Sequence, residues 1–364
     1  EKVKGVRVIS FRKSALSLGI TAAFMWLSVV YLKCSPHGAL IVGCMAASVV
    51  ALRHGYYWEE LLEFMVKGIT RSIESIMILM LIGVLIGVWI IAGVIPTMMV
   101  YGLRLISPQW IVVSIVLVSA LVSLVLGSWG TAGTVGVAFI GIAEAMGISP
   151  AMAAGAVISG AYVGDKFSPI TDTTNLDSAV TDVDIFQNTR YMIRIGLPFF
   201  LLSLFVYGIF GFWDSMRLET ENLVEMNKVA DYLEYEFFIS PVSLFPLAFI
   251  LICILLKIPA LPSICIGIIV AAVYGVVAQK TAVRDLFTVI YDGYSSKSGI
   301  EIIDSLLNTG GVGGMMYSIS VILLAMMFGG VMEYTGQMKQ LLTPVIKKVR
   351  CGVELVFAVI CTCV

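Results

Sequence analysis

The sequence predicts an all-α, polytopic membrane protein. Three observations carry that reading. Of its 364 residues, 59% are hydrophobic and only 13% charged, about half the charged share of a soluble domain. The apolar residues gather in charge-free windows near the roughly 20 residues that a helix needs to cross a bilayer. Stretches inside those windows, such as 76–82 and 247–256, are apolar throughout rather than alternating, which favours helices over a membrane barrel. The apolar content excludes a disordered chain. A net charge of -1, from 23 Lys+Arg against 24 Asp+Glu, leaves no basic face for nucleic acid.

Taken in order, the chain opens with 1–13, where Arg7, Arg12 and Lys13 precede an apolar run and place the N-terminus in the cytoplasm. That run is too long for a signal peptide, and no small-residue cleavage site follows it. Windows free of Asp, Glu, Lys and Arg cover 14–32, 34–52, 75–103, 105–143, 145–164, 195–213, 237–256, 258–279 and 305–332. The window 105–143 is too long for one crossing and is expected to break in its Gly-rich part, 127–136. A last window, 355–364, holds only ten residues, about 15 Å of helix or half a bilayer core. The chain also begins at Glu1 rather than Met, so it is expected to be part of a longer protein. The seven Cys form no CxxC pair and read as small buried hydrophobes, and His37 and His54 read as interfacial residues.

Two parts of the chain resemble each other. RHGYYWEELLEFMVKG at 53–68 matches AQKTAVRDLFTVIYDG at 278–293, and GVWIIAG at 87–93 matches GVMEYTG at 330–336. The offsets are 278 − 53 = 225 and 330 − 87 = 243, and their difference of 18 falls in the polar, Gly-rich insertion 295–314. Internal repeats of this kind build many secondary transporters. The expected organisation is therefore a cytoplasmic segment 1–13, a first transmembrane repeat 14–213, an acidic connecting linker 214–236, and a second transmembrane repeat 237–364 whose end lies outside the chain. The linker carries seven acids and two bases and reads as a solvated connection or surface helix.

The chemistry is expected in 159–180, SGAYVGDKFSPITDTTNLDSAV, which follows an uninterrupted apolar window. Asp165, Lys166, Asp172 and Asp177 stand there among Ser168, Thr171, Thr173, Thr174 and Asn175. Ionisable residues at membrane depth are costly and mark function. Gly164 loosens the chain and Pro169 disfavours helix for Ser168, so a helix is expected to break near 164–169 and resume near 174. Carbonyls freed by such a break are tolerated where protein or a wet cavity covers them. With Asp, Asn and Thr oxygens they make a hard-oxygen cage suited to Na+. The same composition also fits an interfacial loop with its acids in water. A second interruption, GSWGTAGTVG at 127–136, reads by itself as small-residue helix packing, as do Gly160/Gly164 and Gly83/Gly87 at four-residue spacing.

The 159–180 segment closely resembles the characteristic segment of NhaC-type Na+/H+ antiporters, within the broader ion transporter superfamily. GVWIIAGVIPTMMVYGL at 87–103 and GSWGTAGTVGVAFIGI at 127–142 are similar to segments of the same family, and the likeness extends from about Pro36 onward. It implies an inverted-repeat secondary transporter with broken helices and re-entrant hairpins in each half, working in the cell membrane in pH and Na+ homeostasis. The residues that carry the motif are Gly164, Asp165, Lys166, Ser168, Pro169, Asp172, Thr173, Thr174 and Asn175, with Ser128, Trp129, Thr131 and Thr134 in the Ser-Trp segment. Near 127–128 the relatives carry one more small residue. The second-half counterpart falls near 165 + 243 = 408, beyond Val364.

The leading expectation is exchange of Na+ for H+ by alternating access, with both as cargo and no cofactor. Asp172 is the first candidate for the carboxylate that holds either a proton or a cation, and Asp165 the second. Asp172 and Asn175 are the candidate Na+ ligands. Gly164, Pro169 and Lys166 are structural, Lys166 as the partner of Asp165. The alternative cargo is an organic anion of the malate or lactate kind, coupled to Na+ and H+. Hydroxyls and helix N-termini in 127–136 and 171–175 suit either cargo. Bilayer lipid, small organic acids and a second copy in a homodimer complete the candidate partners. An intramembrane aspartyl hydrolase is a remote alternative, since Tyr162 stands where a GxGD pattern needs Gly. Glu74 and Glu144 read as helix-end acids. Glu333 fits a cavity wall and an interfacial acid equally.

Overall fold

The computed structural model describes residues 9–169, 171, 174, 177, 183–216, 220–256, 258, 260–299, 303, 304 and 307–348. Among them every regular element is helical. In chain order these are α1 (Phe11–Met25, continued by a π-helical turn Trp26–Tyr31), α2 (His37–Leu52), α3 (Trp58–Thr70), α4 (Ile73–Ile91), α5 (Val94–Leu105) and α6 (Ile111–Thr131). A π-helical stretch Ala132–Gly136 leads into α7 (Val137–Ala145), followed by α8 (Pro150–Phe167), α9 (Ile185–Ser215) and α10 (Thr220–Glu236). After a 3-10 turn at Pro241–Leu244 come α11 (Phe245–Leu255), α12 (Ala260–Ala278), α13 (Val283–Asp292), α14 (Gly311–Tyr334) and α15 (Gln337–Lys348).

Among the described residues, five helices are long and apolar enough to cross a membrane: 11–31, 73–91, 185–214, 261–278 and 311–334. The window 75–103, read as one stretch, is two helices. Gly93 at φ +76 ends α4 and starts α5, a left-handed corner that glycine takes without steric cost. The window 105–143 breaks as expected, at Gly127 and through the π-helical stretch.

The chain divides into two compact units. One consists of residues 1–77 and 316–364. Here α1 packs on α2 and on α15. Ser14, Ser17 and Thr21 put buried hydroxyls on one face of α1. The Ser17 hydroxyl donates to Gln337 Oε1 at 2.8 Å, and Gln337 Nε2 donates to Ala47 O at 3.2 Å and Thr335 Oγ1 at 3.0 Å. A buried amide is tolerated in an apolar unit because its hydrogen bonds are made. α3 buries Leu61, Met65 and Gly68 and keeps Glu59, Glu63 and Lys67 outside. Arg71 pairs with Glu333 at 2.6 Å. His37 shares a 2.7 Å hydrogen bond with Ser320.

The other unit is 78–315. Its core gathers residues of α4 to α8, with Trp89, Ile111, Ile115 and Met146 fully buried. α10 joins that core through Val229, Ala230 and Leu233, while Glu234 on its outer face pairs with Arg104 at 2.7 Å.

The offsets read from the sequence map contacts of one unit onto contacts of the other. In the first, the Phe64 carbonyl of α3 lies against Gly330 of α14; in the second, Val289 of α13 lies against Gly87 of α4. The pairs are related by 225 and 243. Gly93 at φ +76 and Gly336 at φ +75 are also 243 apart. The carbonyl before each is capped from a loop: Tyr56 Oη donates to Thr335 O at 3.3 Å, and Gln279 Nε2 to Ala92 O at 3.4 Å. The insertion at 295–314 has no counterpart. Its two ends are joined by Tyr294 N–H donating to Thr309 O at 3.1 Å. Asp304 Oδ1 accepts from Ser298 N at 2.9 Å and Ser298 Oγ at 2.8 Å. The Ser298 backbone N–H, then the Ser296 and Ser298 side chains, hold the Asp304 carboxyl below the usual carboxylate range.

Candidate functional site

α6 and α8 lie side by side and run in the same direction. Gly160 rests on Val116 and Ala120, and Gly164 rests on Ala120 and Ser123, so the absence of side chains at two positions one turn apart lets the backbones touch. The Ser123 hydroxyl donates to Ala161 O across the same seam. Both helices then break at one level. α6 is interrupted at Gly127, with φ 68 and ψ 175. α8 ends at Phe167, and Ser168 is extended at φ -98, ψ 130, the conformation a following proline imposes. The Ser168 hydroxyl donates to Leu124 O at 2.6 Å, tying the two breaks together.

Asp165 sits between them and is 3% exposed. Ser128 Oγ, just past the α6 break, donates to Asp165 Oδ2 at 3.0 Å. Asp165 Oδ1 is buried and has no hydrogen-bond partner among the described residues. Beside it is Gly127, where even a Cβ would stand 3.7 Å away. The Asp165 carbonyl accepts from Thr171 Oγ1 at 2.8 Å and Thr174 Oγ1 at 3.1 Å. Thr131 lies one residue short of a turn beyond Ser128 on α6, fully buried, with its hydroxyl also lacking a partner among the described residues.

The structure therefore brings together Asp165, Ser128, Ser168, Thr171 and Thr174 from the sequence-predicted set, with Gly164 and Pro169 as the packing contact and the helix stop. Lys166 differs from expectation. It does not pair with Asp165 but with Asp177, Nζ to Oδ2 at 2.6 Å. Neighbours on a helix point about 100° apart, so Lys166 leaves the buried face that Asp165 occupies. Asp172, Thr173 and Asn175 lie outside the described residues, as does the Thr134 side chain, and with them the Asp172–Asn175 Na+ ligand pair. Among the described residues no three His, Cys, Asp or Glu side chains converge to hold a metal. Sequence reading missed the part of Ser123 in holding α6 on α8; its signal was the Ser119–Ser123 spacing, which matches Gly160–Gly164.

Two adjacent broken helices around one buried carboxylate are an arrangement that membrane transporters use. The chain belongs to the Na+/H+ antiporter family, whose profile matches residues 6–178 and 160–364. It is 35% identical to the Na(+)/H(+) antiporter NhaC of Alkalihalophilus pseudofirmus, over 92% of this chain and 72% of that one. It is 33% identical to the Malate-2H(+)/Na(+)-lactate antiporter of Bacillus subtilis, over 95% and 74%. To the Arginine/ornithine antiporter ArcD of Halobacterium salinarum it is 32% identical, over 90% and 68%. No solved structure matches the chain.

Proposed function

We propose that this protein exchanges Na+ for H+ across the cell membrane, with Asp165 as the group that carries one or the other. The supporting observation is the Asp165 carboxylate itself: buried, held through one oxygen by Ser128, and without a partner on the other among the described residues. A buried ionised carboxylate with a bare oxygen is costly. A proton on that oxygen removes the cost, and so does a hard cation shared with neighbouring hydroxyl and carbonyl oxygens. The two occupants compete for one atom, and that competition couples their fluxes. Ser128 and Thr131 supply hydroxyls on the α6 side, and the α8 break supplies Ser168, Thr171 and Thr174. Alternation of access to this group from the two sides, by movement of the broken segments, turns competition into exchange. Asp172, Thr173, Asn175 and Thr134 complete the ligand set in this reading.

Na+-driven proton movement in vesicles tests it. Asp165→Asn keeps the shape and removes the titratable group, and exchange is expected to fall to the background of protein-free vesicles. Exchange at the wild-type rate would remove Asp165 from the mechanism. The same measurement on Asp172→Asn assigns the second acid. A malate- or lactate-type exchange coupled to Na+ and H+ is the second reading, favoured by the similarity to the malate/lactate antiporter. It requires an organic acid in the assay; Na+/H+ exchange in its absence decides for the first.

A further inference from the structure

Two basic side chains stand inside the apolar span 185–214 with no partner among the described residues. Arg190 and Arg194 stand one turn apart on α9, both exposed, and neither forms an ion pair or hydrogen bond with any described residue. Asp184, the described acid nearest in sequence, is engaged as the helix cap: its Oδ1 accepts from the N–H groups of Phe186 and Gln187, each at 3.1 Å. α9 is also the crossing helix least covered by its own chain, with 6% of its apolar window buried. Its inner face is set by Gly196 against Phe167 and Gly211 against Val112. Gly208, against Val113, marks the edge of that face; Arg190 lies at this edge and Arg194 beyond it, both exposed. Steps of three and four residues from the arginines lead through Leu197, Leu201 and Phe205, all exposed.

Two aromatic residues give the depth. Tyr191 and Trp213 are both largely exposed and lie about 33 Å apart along the helix. Tyr and Trp collect at the two edges of a hydrocarbon core about 30 Å thick. Tyr191 at one edge puts Arg190 at headgroup level. Arg194 lies less than a turn deeper, within reach of the headgroups through its long side chain.

We propose that Arg190 and Arg194 bind the phosphodiester of an anionic phospholipid whose acyl chains lie along Leu197, Leu201 and Phe205. Guanidinium groups pair with phosphate oxygens through two hydrogen bonds each. The charged pair runs directly into an apolar column, the order of groups in a phospholipid. An acidic protein partner would instead need a polar surface beyond the arginines.

The test is lipid retention by the full chain. Wild type and the Arg190→Gln/Arg194→Gln variant are placed in nanodiscs of equal phosphatidylglycerol and phosphatidylcholine, re-extracted in mild detergent, and the retained lipids weighed by mass spectrometry. About 1 kcal/mol for each basic residue at an anionic surface corresponds to about 30-fold for the pair. Wild type is expected to retain phosphatidylglycerol in excess, and the variant to lose that excess by an order of magnitude. The single variants are expected to lie between, and they carry the test if the double variant unfolds. Inorganic phosphate in excess is expected to leave wild-type retention unchanged. Equal retention by wild type and the variants overturns the proposal. So does displacement of the lipid by phosphate, which assigns the site to free anions, or a change of oligomeric state with unchanged lipid, which assigns it to a protein partner.

Discussion

Gly164→Ala tests the seam that aligns the two helix breaks. A Cβ at this position would stand 2.9 Å from the Ala120 carbonyl carbon and 2.9 Å from Ser123 Cβ, and closer still to the Ala120 oxygen. Ordinary contact begins near 3.4 Å. Because the obstacles are backbone and a Cβ, no rotamer change relieves them, and α8 must retreat from α6 by at least about 0.5 Å. Overpacking of this kind costs about 1–3 kcal/mol, offset in part by the higher helix propensity of alanine. The functional cost is larger. The same retreat stretches the Ser128–Asp165 hydrogen bond from 3.0 Å to about 3.5 Å, outside the range of a sound O–H···O bond. Misplacement of this order costs up to about 100-fold in rate at a positioned site. The assay is initial Na+-driven proton flux in vesicles, normalised to folded protein by thermal unfolding in detergent. Gly329→Ala is the control, since a Cβ there meets nothing within 4 Å, and it is expected to leave both readouts unchanged. If Gly164→Ala keeps wild-type flux and stability, the close α6–α8 contact does not position Asp165, and the reasoning from packing to site fails.

Other perturbations separate structural from functional polar groups. Gln337→Ala leaves the Ala47 carbonyl, and the Ser17 hydroxyl if it finds no new acceptor, without their buried partner, so thermal stability is expected to fall by about 2–3 kcal/mol; a change within 0.5 kcal/mol would show that the network rearranges. Glu333→Gln breaks a half-exposed pair with Arg71, so thermal stability is expected to stay close to wild type, and an altered Na+ or pH dependence of exchange would contradict a structural role. Asp304 has its carboxyl held low by hydrogen bonds, so its contribution is complete above the unfolded value, near 3.9, and is lost as pH falls through the lower folded value. Protection of the Ser298 and Gly299 amides, taken relative to their free exchange rates, is therefore expected to hold at pH 5 and to fall progressively as pH drops below about 3.9, and the Asp304→Asn variant to show no such step. A step that persists in the variant refutes the assignment.

Much of the fold could be read from the residue string because the bilayer permits few solutions. Charge-free windows fixed where helices fall, and Gly127 and Pro169 marked the breaks because each has a backbone property that the break requires, whereas Gly164 stays helical and serves as a packing contact. The left-handed corner at Gly93 was hidden, since Trp89 to Ile95 is apolar on both sides and a charge count sees no interruption. The site was half legible. Density of Asp, Thr and Asn drew attention to 171–175 and ranked Asp172 ahead of Asp165. The pairing of Asp165 with Ser128 depends on α6 and α8 running in register, a tertiary fact: Gly160 and Gly164 advertise a contact face without saying which helix meets it. Similarly, the repeat was visible as two offsets, while the contacts it relates, Phe64 with Gly330 and Val289 with Gly87, could not be inferred from either copy.

The discontinuous unit has a consequence for how the chain is made. Residues 1–77 and 316–364 form one compact unit, so α1, α2 and α3 leave the ribosome well before α14 and α15, which cover them. At about 5–20 residues per second, the 239 residues from 77 to 316 take from about 12 to about 48 s. Over that interval Gly68 of α3 lacks Gly330 and the Ser17 hydroxyl lacks Gln337, whereas Thr21 already has Gly43 of α2 beside it. Both α1 hydroxyls find acceptors within their own helix meanwhile: Ser17 reaches Lys13 O at 3.4 Å and Thr21 reaches Ser17 O at 2.9 Å.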